Sequence, residues 1–151
     1  LTKRRHRVPA GDLAWEIDRL GWLSAPPRHG LLGWPPPQFG GSEDVWSPEH
    51  LLVASANLCL MLTFLALAES GHLAVNSYRS HAEGVLDKAP DGPRFVSVSI
   101  QVELKTAAAD REKAEATLKQ AEKRCLIANS LKAPVQVSTR VLATAQDAAD
   151  A

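Results

Sequence analysis

Two cysteines, Cys59 and Cys125, are the strongest nucleophiles in this chain of 151 residues. Taken singly, a buried cysteine most often serves as a small hydrophobe. Taken together, two thiols can cycle between dithiol and disulfide, provided the fold brings them into contact. A reactive thiol needs a lowered pKa, hence a nearby positive charge. From Leu51 to Ala68, the stretch that carries Cys59, there is no charged residue. The charge must therefore come from elsewhere in the fold, and an arginine is the natural source. Metal chemistry has little support: five histidines accompany the two cysteines, but no CxxC or HxxxH spacing gathers them. The thioredoxin-type CxxC is also missing. Neither a metal nor a bound cofactor is expected.

The element that positions Cys59 runs from Ser47 to Gly71. Ser47 can cap a helix with its hydroxyl, and Pro48 suits the first helical position, where a missing N–H costs nothing. Glu49 is favourable beside the positive end of the helix dipole. Gly71 closes the run as a C-terminal cap. The uncharged run is long enough to span a bilayer. However, Ser55, Asn57 and Thr63 dilute its apolarity, and no basic cluster flanks it closely. A helix apolar all round is otherwise buried on every side. In a chain this small, that demands sheet and a partner subunit.

Before this helix the sequence divides into a basic arm over residues 1–12, a short strand over Leu13–Ile17, a turn at Arg19-Leu20-Gly21 and a further extended piece starting at Leu23. From Pro26 to Gly41 the density of proline and glycine predicts an ordered or semi-ordered loop, not a helix. All four tryptophans, Trp15, Trp22, Trp34 and Trp46, precede the helix. They are expected to anchor the loop on the core, with some able to line an apolar pocket. After Gly71, residues 72–86 read as a strand with a weak alternation around Tyr78, Ala82 and Gly84. Pro90-Asp91-Gly92-Pro93 marks a turn. In the strand Phe95–Lys105, Val96, Val98, Ile100, Val102 and Leu104 alternate with polar residues, as in an antiparallel hairpin. Asp110–Arg124 is an amphipathic helix with Ala114, Leu118 and Ala121 on its inner face. A short apolar helical turn, Cys125–Leu131, follows; Pro134 ends it, and Val135, Val137, Thr139 and Val141 form a last strand. A single domain over residues 13–143 and a frayed tail over 144–151 are expected. Strands and helices do not alternate in a βαβ rhythm, so the fold class is α+β.

Seventeen basic residues balance seventeen acidic ones. A neutral chain lacks the basic face that nucleic acid requires, and the run Lys3-Arg4-Arg5-His6-Arg7 reads as a solvated end. Neither nucleic acid nor membrane is an expected partner. No apolar signal-peptide core stands in the first residues, which makes a cytoplasmic location the default.

Three of these features together resemble one family. The helix start SPEHLL with ANLC ten residues after its glutamate, the strands YRSHAEGVL and FVSVSIQVEL, and the turn AEKRCLIANSL are similar to the OsmC/Ohr family of osmotically inducible and organic hydroperoxide resistance proteins. The resemblance covers about residues 13–142. It implies an OsmC-like fold, an α+β intertwined homodimer whose long buried central helices are wrapped by antiparallel sheets. It implies thiol-dependent reduction of organic hydroperoxides without metal or haem. Cys59 would be the peroxidatic cysteine, oxidised to a sulfenic acid, and Cys125 would resolve it as a disulfide. An external dithiol reductant, of the lipoyl type that serves some members, would restore both thiols. Glu49 matches the family's glutamate that pairs with an arginine near the reactive sulfur. Ten helical residues span ~15 Å, so Glu49 of one subunit is expected to serve Cys59 of the other. For the arginine, Arg19 fits the Arg-x-Gly turn of one branch of the family. Arg28 is the alternative, and Gln38 stands where the other branch has its arginine. A substrate pocket would draw on Trp22, Trp34 and Phe39.

Two further functions compete with the peroxidase. A non-catalytic dimer of the same fold would bind an apolar small molecule near the subunit interface, and a redox-responsive structural dimer would not turn over. Retention of both cysteines favours the enzyme.

Overall fold

The computed structural model describes residues 7, 8 and 11–144. Most of the basic arm and all of the expected tail beyond Thr144 lie outside the described residues. Contacts divide the chain into two compact units, one ending at Leu52 and the other beginning at Val53. The division falls within the long helix α1, Pro48–Ser70.

The first unit holds an antiparallel sheet of β1 (Asp12–Ile17), β2 (Leu20–Ser24) and β3 (Leu31–Gly33), in that order. The turn between β1 and β2 is Asp18-Arg19, one residue earlier than the sequence suggests, and Leu20 and Gly21 already belong to β2. Asp18 takes the left-handed conformation (φ 51°), which aspartate tolerates better than most residues. Its carbonyl accepts the Trp15 indole N–H at 3.0 Å. The proline-rich stretch is more structured than a loop. Leu31 and Leu32 pair with β2, and Pro37–Phe39 forms a 3₁₀ turn. The tryptophans do not all act as core anchors: Trp15 is 78% exposed, and Trp22 and Trp46 also keep large exposed areas.

Helix α1 starts as its sequence predicts. The His50 N–H donates to Ser47 Oγ at 3.1 Å, and the same oxygen lies 2.8 Å from His50 Nδ1. Its other end differs in detail. His72 N–H donates to the Glu69 carbonyl at 3.1 Å and Leu73 N–H to that of Ala68 at 2.8 Å. This is a Schellman closure, whose left-handed residue is His72 (φ 53°) rather than Gly71.

In the second unit β4 (Ser77–Ala89), β5 (Gly92–Thr106) and β6 (Val135–Ala143) form one sheet in sequence order. The strand expected over residues 72–86 begins five residues late, because 72–76 serve the helix closure and its exit. β4 and β5 are an antiparallel hairpin across Pro90-Asp91. A bulge leaves Val96 without a register partner, so the inward alternation starts at Val98 and runs through Ile100, Val102, Leu104 and Thr106. β6 lies parallel to β5, so this sheet is mixed rather than wholly antiparallel. A parallel neighbour needs a crossover of a dozen residues or more. Helices α2 (Arg111–Arg124) and α3 (Leu126–Ser130) supply it, with Ala114, Leu118 and Ala121 of α2 facing inward.

Ala56, Leu60, Phe64 and Ala68 of α1, spaced four apart, join Val98, Ile100, Val102 and Leu104 in one core. Each large side chain buried there contributes about 1.5–3 kcal/mol. The stripe is narrower than an all-round apolar helix implies. Leu58 and Leu62, on another face, are 54% and 55% exposed. One chain by itself therefore covers a single face of α1.

Candidate active site

Cys59 stands beside the buried stripe of α1 and is half-buried; Cys125 is fully buried, and both thiols are free. Cys125 occupies the junction of α2 and α3. Its backbone is extended (φ −65°, ψ 108°), which ends one helix and starts the next. Asn129 fastens this corner: its N–H donates to the Cys125 carbonyl at 3.0 Å and its Nδ2 to the Lys123 carbonyl at 3.1 Å. The first N–H groups of α3 are thereby turned toward Cys59.

The two thiols have opposite environments. Burial pushes the Cys59 thiol up, but hydrogen bonds outweigh it: from the Ile127 N–H, the Cys125 thiol, the Thr63 hydroxyl and the Leu126 N–H. The net effect is a pKa below the ordinary value, since donors favour the charged form. The Thr63 hydroxyl also donates to the Cys59 carbonyl at 2.8 Å. Cys125 is pushed up, first by burial and then by Cys59 beside it, while the Ala128 and Ile127 N–H groups pull the other way. One sulfur is thus an acceptor inclined to be a thiolate, and its neighbour is a thiol that donates to it. A cation is the expected source of a lowered pKa at Cys59. Backbone N–H groups do this work here, and no sequence pattern announces them.

The first unit contains a cavity of ≈ 440 Å³ lined by Arg19 and Glu49 among apolar walls that include Leu13, Leu23, Trp34 and Phe39. Arg19 donates to the Phe39 carbonyl at 2.9 Å and to that of Gly40 at 3.1 Å. Gly40 has φ 81°, and a Cβ there would lie 2.9 Å from Arg19 Nη2, so glycine is what lets the guanidinium approach. Glu49 Oε2 is buried and has no hydrogen-bond partner among the described residues. Arg19 and Glu49, the sequence candidates, therefore line one cavity together with Trp34 and Phe39.

Two candidates fall elsewhere. Arg28 is exposed, in a turn closed by its own N–H on the Ala25 carbonyl at 3.0 Å, and does not line the cavity. Trp22 does not line it either. Successive residues of a strand face opposite ways; Gly21 and Leu23 line the cavity, while Trp22 covers Gly30, where a Cβ would lie 2.0 Å from the indole. Among the described residues, no group of three or more His, Cys, Asp and Glu side chains could hold a metal ion.

A family model described as OsmC-like protein matches residues 41–140. The chain belongs to the OsmC-like family. No curated protein matches it. Among solved structures, an OsmC-like protein of unknown function from Vibrio cholerae superposes with a TM-score of 0.76 at 23% identity, covering 87% of this chain and 96% of that one. An OsmC-like protein from Mycoplasma pneumoniae gives a TM-score of 0.75 at 14% identity, covering 93% and 99%. An organic hydroperoxide resistance protein from Elizabethkingia anophelis, solved with thiocyanate bound, gives 0.73 at 16% identity, covering 95% and 100%. At these identities the likeness concerns the fold. It assigns this OsmC-like protein the α+β architecture expected from its sequence. Helix α1 is long and apolar enough to cross a membrane; in the OsmC-like fold it is the helix that carries Cys59 and packs on the sheet.

Proposed function

We propose that this OsmC-like protein is a thiol-dependent peroxidase that reduces organic hydroperoxides. The observation that carries the reading is the placement of two free cysteines, half-buried Cys59 on α1 and fully buried Cys125 at the corner of α2 and α3, with donors that draw the Cys59 pKa down and burial that pushes that of Cys125 up. Opposed environments of this kind assign roles to two otherwise identical groups. The Cys59 thiolate attacks the O–O bond of the hydroperoxide. It becomes a sulfenic acid, and the leaving alkoxide takes up a proton to give the alcohol. Cys125 then attacks the sulfenic sulfur, releasing water and forming the disulfide. An external dithiol, itself oxidised to a disulfide, returns both thiols.

In this reading the protein acts as a homodimer, with Glu49 and Arg19 of one copy serving Cys59 of the other. The apolar cavity receives the organic part of the peroxide. Arg19 has donors beyond the two it gives to carbonyls, and the unpartnered Glu49 oxygen is suited to hold it. Exposed Leu58 and Leu62 support the dimer, because a single chain leaves this apolar face of α1 bare. Relatives described as organic hydroperoxide resistance proteins, including one from Legionella pneumophila, support the chemistry at the level of the family.

The test compares wild type with Cys59→Ser for consumption of cumene hydroperoxide, supplied with either dihydrolipoamide or a monothiol. Wild type is expected to turn over with the dithiol, and Cys59→Ser to lose all turnover. Turnover that survives in Cys59→Ser overturns the assignment. A second reading, a non-catalytic binder of an apolar small molecule, is favoured by the largely apolar walls of the ≈ 440 Å³ cavity. It predicts ligand binding by both proteins and turnover by neither.

A further inference from the structure

His50 stands in the first turn of α1, next to Glu49, and the chemistry above leaves it unused. Two hollows border this turn. Pro48, Glu49 and Leu51 line the ≈ 440 Å³ cavity that holds Arg19. His50 lines a smaller one of ≈ 210 Å³ with Glu43, Asp44, Val45 and Trp46. Ser47, the cap between them, is fully buried. Its carbonyl accepts the Leu51 N–H at 2.9 Å, and its Oγ accepts the His50 N–H at 3.1 Å. The same Oγ lies 2.8 Å from His50 Nδ1. A serine cap with glutamate three residues on forms the usual reciprocal box, in which the glutamate reaches back to the serine N–H. Here an imidazole holds that third position and meets the hydroxyl instead.

Hydrogen bonding fixes how this pair is protonated. A hydroxyl has one proton to give. Ser47 Oγ is already the acceptor for the His50 N–H, and Nδ1 is the one acceptor within reach of its proton among the described residues. A proton on Nδ1 would leave the Ser47 proton inside a fully buried site without a partner, which is costly. The Ser47 hydroxyl therefore donates to an unprotonated Nδ1, and the imidazole is the neutral tautomer with its proton on Nε2. The contact closes a ring around Pro48 and Glu49, the two residues between its ends. We propose that His50 is a positioning residue: by holding the Ser47 hydroxyl it fixes the first turn of α1, and with it the place of Glu49. The Glu49 side chain, whose Oε2 is buried without a partner among the described residues, is thereby kept in the wall of the cavity it shares with Arg19. The inference rests on the peroxidase reading for what Glu49 does; the protonation of the Ser47–His50 pair does not depend on it.

The test uses the full chain and three variants. His50→Ala removes the acceptor. His50→Asn restores one, because the amide Oδ1 stands about where Nδ1 does. With cumene hydroperoxide and dihydrolipoamide, kcat/KM should fall about three- to tenfold in His50→Ala, the size of one hydrogen bond between neutral groups, and recover in His50→Asn. Asparagine is a poorer helix former than alanine, so a role in helix stability alone would rank the two variants the other way. The carboxyl-carbon resonance of Glu49 should move in His50→Ala and return in His50→Asn. Nitrogen NMR of the wild type in mildly alkaline buffer needs no turnover. His50 Nδ1, assigned by its loss in His50→Asn, should show the unprotonated signature, displaced as in a nitrogen that accepts a hydrogen bond, and the displacement should vanish in Ser47→Ala. A protonated Nδ1, a Glu49 resonance or kcat/KM unmoved in His50→Ala, or a His50→Asn no better than His50→Ala overturns the proposal. If the wild type does not turn over, the peroxidase reading fails, and the two resonances alone decide whether His50 holds Ser47 and Glu49 in place.

Discussion

Removing a single backbone N–H from the Cys59 sulfur should make that cysteine measurably less reactive. Leu126 is the residue where this can be done cleanly. It holds the first position of α3, where proline is well tolerated. The preceding Cys125 is already extended at ψ 108°, the conformation a residue before proline prefers. The leucine side chain is 61% exposed, so little packing is lost. Ile127 supplies the stronger hydrogen bond, but proline there would follow a helical residue and strain the turn. One hydrogen bond to a charged group is worth about 1.5 kcal/mol at the lower end, which is about tenfold in the thiolate population. Solvent reaches the half-buried sulfur, and Leu126 is the weakest of the four donors. A loss of about three- to tenfold is therefore expected in the rate of Cys59 alkylation near neutral pH. The assay is iodoacetamide labelling across pH, with peptide mapping to separate the cysteines. In wild type, Cys59 should label at lower pH than an ordinary cysteine and Cys125 at higher pH. Leu126→Pro should move the Cys59 profile upward, and Leu126→Ala, which keeps the N–H, should not. A folded Leu126→Pro with an unmoved Cys59 profile would refute the reasoning, as would an equal shift in Leu126→Ala.

Other perturbations follow from the same geometry. Ser47→Ala removes the cap of α1 and should lower stability by about 1 kcal/mol, read as a shifted urea midpoint. Gly40→Ala forces a left-handed alanine toward the Arg19 guanidinium. It should cost roughly 1–2 kcal/mol and weaken peroxide turnover, and steady-state kinetics beside a denaturant curve would register both. Leu62→Glu sits on the exposed face of α1, so the single chain should keep its fold. Sedimentation velocity should show the loss of self-association; a variant that sediments as wild type does would remove this face from the proposed dimer.

The helices were legible because each carries its own punctuation. Ser47-Pro48-Glu49 starts α1 from local chemistry, and Ala114, Leu118 and Ala121 repeat at helical spacing. The strand containing Val98, Ile100, Val102 and Leu104 was legible for the same reason, since alternation is a property of the strand alone. What the sequence hid depends on neighbours. The parallel placement of β6 is a choice of partner, and the alternation of Val135, Val137 and Val141 is the same whichever way the strand runs. The closure at His72 was hidden because glycine is the usual left-handed residue and Gly71 stood one position away. Cys59, Cys125, Arg19 and Glu49 are candidates from residue type and family resemblance alone. The N–H groups of Leu126 and Ile127 are not, because a backbone donor leaves no mark in a sequence. Trp22 falls outside the lining of the cavity that holds Arg19 and Glu49, because strand alternation decides which side chains face it.

In the proposed peroxidase, Cys59 and Cys125 act together on a peroxide. The most direct measurement is the loss of free thiols after one equivalent of cumene hydroperoxide, with mass spectrometry to locate any new bond. Rapid loss of both thiols and an intramolecular Cys59–Cys125 disulfide are expected. Two thiols that stay free in a folded, dimeric protein would contradict it.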